Sequence, residues 1–109
     1  MAYDEELAAR VRFEMGSTPN VEKPMFGGLA FIVAGNMAVG VSGQGGLMVR
    51  CAPEATADLV AKPGAAPMEM RGREMDGWLR VSAESVADDA TLAEWVQVGV
   101  SQAQALPPK

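Results

Sequence analysis

Residues 21–52 read VEKPMFGGLAFIVAGNMAVGVSGQGGLMVRCA, short apolar runs punctuated by glycine. That texture predicts four strands, at about 21–26, 28–34, 37–42 and 46–51. Gly35-Asn36 has the chemistry of a two-residue hairpin turn, because both residue types tolerate positive φ. Gly43-Gln44-Gly45-Gly46 suits a longer, looser turn. Met37, Val39 and Val41 alternate with Ala38, Gly40 and Ser42, so one face of that strand is expected to be large and the other nearly bare. A bare face lets another backbone or a helix approach closely. Further on, Leu47, Val49 and Cys51 share a face, with Arg50 on the other. Successive hairpins make the whole stretch an antiparallel meander.

Outward from it, helical signals appear on both sides. Leu7, Ala8, Val11 and Met15 form one stripe of a helix over 4–15, capped by Asp4 and closed by Gly16 and Pro19. After the meander, Pro53 suits the first turn of a short helix over 53–60, from which Leu59, Val60 and Ala55 would reach the sheet. Lys62-Pro63-Gly64-Ala65-Ala66-Pro67 reads as loop. Two short strands, about 68–71 and 77–81, follow on either side of the polar Arg71-Gly72-Arg73-Glu74. Trp78 is then a core anchor or an exposed binding residue. Leu92, Trp95, Val96, Gly99, Ala103 and Leu106 hold a helical stripe to the end of the chain, behind an Asp88 N-cap, and Pro107-Pro108-Lys109 closes it. The expectation is an α+β fold, α-β(3 or 4)-α-β(2)-α, with an antiparallel sheet and helices packed on one face, over a single domain spanning 1–109.

Composition limits the chemistry. The chain has 109 residues, no His, one Cys and a formal charge of −5. Without His, the side chain that most often serves as acid, base and zinc ligand near neutral pH is missing. A lone Cys51 excludes an internal disulfide and a CxxC pair. It lies on the face of Leu47 and Val49, as a buried inert thiol or, with an electropositive neighbour, a nucleophile. Asp88-Asp89 reads as a helix cap, because adjacent side chains diverge. A dinucleotide fingerprint around Gly43, Gly45 and Gly46 would need glycine where Met48 stands, and no P-loop GKS or GKT occurs. The acidic start Met1-Ala2-Tyr3-Asp4-Glu5-Glu6 is unlike a signal peptide, and the longest apolar run, Met25 to Val41, is broken by glycines. A cytoplasmic, non-membrane protein with no metal and no cofactor is expected. The acidic balance disfavours direct nucleic-acid binding, which relies on clustered Lys and Arg. Lys23, Arg71, Arg73 and Arg80 either converge on an anion or an acidic partner, or pair with Glu69, Glu74 and Asp76 as a solvated surface.

Lys23-Pro24-Met25-Phe26-Gly27-Gly28-Leu29-Ala30-Phe31, followed by Gly35-Asn36-Met37, Gly46-Leu47-Met48-Val49-Arg50, Gly77-Trp78 and Asp88-Asp89…Trp95-Val96, resembles the N-terminal domain of the TfoX/Sxy family. The resemblance covers nearly the whole chain. It implies an α+β fold, a bacterial and cytoplasmic origin, and a role in regulating natural competence beside a cyclic-AMP-responsive transcription factor. It carries no catalytic residues with it. Named regulators of the family have a second, helical C-terminal domain, so this chain resembles a stand-alone N-terminal domain.

Two functions follow as expectations. The first is a non-enzymatic regulatory or adaptor module with protein partners, among them transcription machinery or a second copy of itself through the unpaired sheet edge. The second is a domain, or minor enzyme, binding a small anion through Arg50 or Arg80. Candidate ligand or partner contacts are Lys23, Met25, Phe26, Gly27, Gly28, Arg50 and Arg80. Gly27 and Gly28 suit a bulge or tight bend that passes closely under a helix. Phe26 and Phe31 are core residues or part of an apolar docking patch.

Overall fold

The computed structural model describes residues 3–25, 27–70 and 72–108. Helix α1 (Glu5–Met15) begins where Asp4 accepts hydrogen bonds from the backbone N–H of Glu6 and Leu7. Strands β1 (Val21–Met25), β2 (Gly28–Val33), β3 (Asn36–Val41) and β4 (Leu47–Arg50) follow. A 3-10 turn at Pro53–Ala55 leads into the short α2 (Thr56–Val60), then β5 (Ala65–Met70), β6 (Arg73–Val81) and α3 (Asp89–Ala105). The strands form one six-stranded antiparallel sheet in the order β1-β2-β3-β4-β6-β5. The α+β expectation and its order of elements hold, with four strands in the first group.

One face of the sheet carries the core. Phe31, Val39, Val49 and Leu79 lie in register across β2, β3, β4 and β6, all fully buried. Leu29, Val41, Leu47 and Val81 form the parallel row beside them. Above these rows sits the buried stripe of α3, Leu92, Trp95, Val96, Gly99, Val100 and Ala103. Leu7, Ala8, Val11 and Met15 of α1 join the same cluster, and Leu59 and Val60 of α2 pack at its margin. Val86, in the turn before α3, is also fully buried. Its apolar side chain lies in a stretch with no periodicity to reveal it.

The path of β3 departs from simple alternation. Phe31 pairs with Val39, but Ile32 pairs with Met37, so Ala38 is an extra residue, a β-bulge. The bulge moves Met37 to the face opposite Val39 and Val41, where alternation predicts it beside them. It also aims the Ala38 carbonyl at α3: a Cβ on Gly99 would lie 2.3 Å from that oxygen and 2.6 Å from Val39 Cγ1. Only glycine lets α3 settle this close to the sheet. The bare face of β3 therefore receives no helix. Its gap at Gly40 is filled from both sides by the methyl ends of Met37 and Met48.

The hairpin between β2 and β3 also differs from expectation. Val33 pairs with Asn36, so the turn residues are Ala34 and Gly35, with φ of 53° and 82°. Two positive φ values are those of a type I′ turn, whose twist matches the flanking strands. Asn36 is released from the turn to the core side, where its amide donates to the carbonyls of Ala103 (3.4 Å) and Pro107 (3.0 Å) at the end of α3. A buried donor that closes a helix C-terminus explains the asparagine better than turn chemistry does.

The stretch 62–67 is not all loop, because β5 starts at Ala65. Pro67 is tolerated because β5 is the outermost strand. Likewise β6 begins at Arg73, well before the expected position 77. Pro67 pairs with Leu79 and Glu69 with Glu74, so β6 carries three extra residues around Gly77. Gly77 has φ +86°, and its N–H donates to Thr56 Oγ1 at 2.9 Å. Gly28 approaches another strand, not a helix: a Cβ there would lie 2.1 Å from the Val41 carbonyl. Phe26, Arg71 and Lys109, all named from the sequence, lie outside the described residues.

Three substitutions test this packing. Ala34→Asn, which supplies the Asn-Gly pair that a type I′ turn favours, raises unfolding free energy by about 1 kcal/mol in urea titration. Gly99→Val lowers it by about 2–3 kcal/mol by forcing α3 off Ala38. Gly40→Ala, which only displaces flexible methionine ends, costs under about 1 kcal/mol by the same titration.

Candidate functional site

Among the described residues α1, α2 and α3 all lie on the core side, so no described helix covers the other, open face of the sheet. The strand register lays out its residues in rows. Val21, Ile32 and Met37 form one row across β1, β2 and β3. Lys23, Ala30, Gly40, Met48 and Arg80 form the next, across β1, β2, β3, β4 and β6. Arg50 and Trp78 are paired on β4 and β6, and the Arg50 guanidinium lies 5.1 Å from the centre of the indole ring. Trp78 is thus neither a core anchor nor fully exposed. It is half-buried on the open face, with the Arg50 guanidinium over its ring in a cation–π arrangement.

Arg80 crosses the same face and holds the β3–β4 loop. It donates to Gln44 Oε1 and Ser42 Oγ at 3.3 Å and to the Gly45 carbonyl at 3.4 Å. A hollow of about 410 Å³ opens beside it, with Gly46, Gly64, Ser82 and Glu84 on its walls. Its donors are shared with the loop and Glu84 stands in the wall, so this hollow is poorly arranged for a small anion.

The charges divide by face. Among the described residues, no carboxylate occupies a strand position on the open face. Glu22 of β1 points to the helix side, where Arg12 of α1 holds it through Nη2 at 2.7 Å. Glu74 and Asp76 line a hollow on the helix side with Pro53 and Val60, and Glu69 is in register with Glu74. The ion pairs among the described residues are Arg10–Asp89 and Arg12–Glu22, both between helix-side groups. Arg73 and Arg80 therefore do not pair with Glu69, Glu74 and Asp76. Nor do Lys23 and Arg80 converge: they stand four strand spacings apart, about 19 Å. Of the residues named from the sequence, Lys23, Arg50 and Arg80 share the open face. Met25, Gly27 and Gly28 lie at the β1–β2 hairpin, where Gly27 has φ +75° and Gly28 packs on the end of β3. The sequence pattern does not point to Ile32, Met37 and Met48 as site residues. The pattern gives Met37 the wrong face because the bulge is invisible to it.

Titration shifts mark scaffold joints. Glu22 is held below its ordinary range, chiefly by the hydrogen bond from Arg12. Asp88 is lowered mainly by the Thr91 N–H and then by the Thr91 hydroxyl, as an N-cap requires. Cys51 is buried on the core side, 3.6 Å from Thr56 Oγ1, away from Arg50 on the opposite face. Among the described residues, no group of three His, Cys, Asp or Glu side chains is placed to hold a metal ion, and no helix is long and apolar enough to cross a membrane.

The fold and this face define an open α+β sandwich of one helical layer on one antiparallel sheet. The model of the TfoX N-terminal domain family matches residues 15–103, and the chain belongs to that family. No curated protein matches it. The match begins at the last residue of α1, so most of that helix lies beyond it.

A depressed carboxylate pKa contributes stability above the unfolded value that is lost as pH falls through the lower, folded value. Wild type is therefore expected to lose melting temperature on acidification below about pH 4.5 more steeply than Glu22→Gln. At neutral pH the variant is less stable by up to about 1 kcal/mol, as for an exposed pair. Thermal melts from pH 7 to pH 3 measure both.

Proposed function

We propose that this chain is a non-enzymatic adaptor that works through protein contacts, in the manner of regulators that act beside a transcription factor, and that its contact surface is the open face of the sheet. The observation that carries this reading is the one-sided fold. Every helix packs on the core side, while the opposite face presents Ile32, Met37 and Trp78 half-buried and Val21 at 63% exposure. Sheets with an apolar face are ordinarily covered, and here no described element of the chain does it. Met37 at the centre suits a contact surface, since its unbranched side chain repacks against different partners, and the buried Met48 packs beside it. Membership of the TfoX N-terminal domain family supports a regulatory role. A second copy of this chain is one such partner.

In-cell photo-crosslinking tests the proposal. A photoreactive side chain at Met37 or Ile32 should give discrete adducts of higher mass. The same group at Phe13, 80% exposed on α1, should not. An adduct at twice the chain mass identifies self-association. Adducts from Phe13 alone, or from neither face, contradict the assignment.

A further inference from the structure

We propose that the segment docking on the open face is an acidic amphipathic helix of a partner protein. This rests on the reading above and adds the partner's chemistry. Three observations set it. First, this face carries Lys23, Arg50 and Arg80 at strand positions and, among the described residues, no carboxylate at one, in a protein of net charge −5. The remaining surface thus carries more than the whole of the negative charge. A partner segment rich in carboxylates is drawn to this face and repelled by the helix side, which fixes orientation as well as attraction.

Second, the cations flank an apolar centre. Lys23 stands at the β1 edge and Arg80 on β6, with Ala30, Gly40 and Met48 between them in one register row. The span of about 19 Å corresponds to roughly 13 residues of α-helix at 1.5 Å per residue. A helix of that length lying across the strands can place carboxylates at both ends and an apolar stripe over the centre. Ala30, Gly40 and Met48 are themselves buried beneath neighbouring side chains, so close approach requires the Met37 and Met48 methyls that fill the gap over Gly40 to swing aside.

Third, the face is poorly equipped for a nucleic acid. Stacking platforms present aromatic rings to successive bases, whereas Trp78 is the aromatic at a described strand position on this face, and Arg50 already lies over its ring. The overall negative charge also opposes a phosphate backbone.

Fluorescence anisotropy on the purified full chain tests the inference. The probe is a labelled 14-residue helical peptide with leucines on one face and glutamates elsewhere. The comparison probes are the same peptide with glutamine for glutamate, and a 12-nucleotide oligothymidine. The glutamate peptide should bind, and more weakly as salt rises. Lys23→Glu and Arg50→Glu should each weaken it by about fivefold, as expected for exposed charge pairs. Lys62→Glu, on the helix side, should leave it unchanged. Equal binding of the glutamine peptide, still weakened by Met37→Asp, overturns the acidic specificity but keeps the face as the contact surface. Tighter binding of the oligonucleotide overturns the inference in favour of nucleic acid. No binding of either peptide also overturns it, and the crosslinking above then decides independently whether the face is a contact surface at all.

Discussion

The single extra residue in β3, Ala38, decides which side chains of the central strand meet α3 and which face the open side. A strand of strict alternation would put Met37 in the core with Val39 and Val41. The bulge sends Met37 to the other side and turns the Ala38 carbonyl toward α3. Gly99 answers that carbonyl by offering no side chain, so the long helix rests directly on the strand. Asn36, one residue before Met37, then falls on the helix side and closes the C-terminus of α3. One inserted residue thus anchors the helix at its middle and at its end while supplying the open face with a methionine.

The helical layer is tied together by polar groups at its edges. Arg10 of α1 donates to the carbonyls of Val86 (2.9 Å) and Ala87 (3.2 Å) and to Asp89 at the start of α3. Arg12 reaches from the same helix to Glu22 on the edge strand. These links use helix-side carboxylates and leave the strand cations of the other face without such partners. The division of charge between faces is therefore a product of where α1 and α3 pack. It is the basis for reading the open sheet face as a surface that meets an acidic protein partner.

Much of the fold is legible in the sequence because its signals are local. The α1 stripe from Leu7 to Met15, the caps at Asp4 and Asp88, and the α3 stripe from Leu92 to Ala103 all depend on residues within a turn or two of one another. The less legible features depend on distant partners. Pro67 reads as loop until its strand is known to be the sheet edge. Gly35-Asn36 reads as a turn until Asn36 meets the end of α3, 67 residues away. The candidate face is legible in its charges, Lys23, Arg50 and Arg80, and illegible in its apolar part, because Met37 changes face at a bulge that leaves no mark in the apolar pattern. The α+β class is readable from the order of helical stripes and strands, and the family from the ordered set of motifs that runs from Lys23 to Val96.

The most direct measurement is a methyl NOE spectrum of protein labelled with ¹³C at its methionine methyls. A bulge at Ala38 predicts an NOE between the Met37 and Met48 methyls across Gly40, and strong relaxation of Met37, but not of Met15, by a soluble paramagnetic agent. NOEs from Met37 to Val96, Gly99 or Ala103 of α3, with Met37 shielded from the agent, would contradict the two-faced architecture on which the proposed function rests.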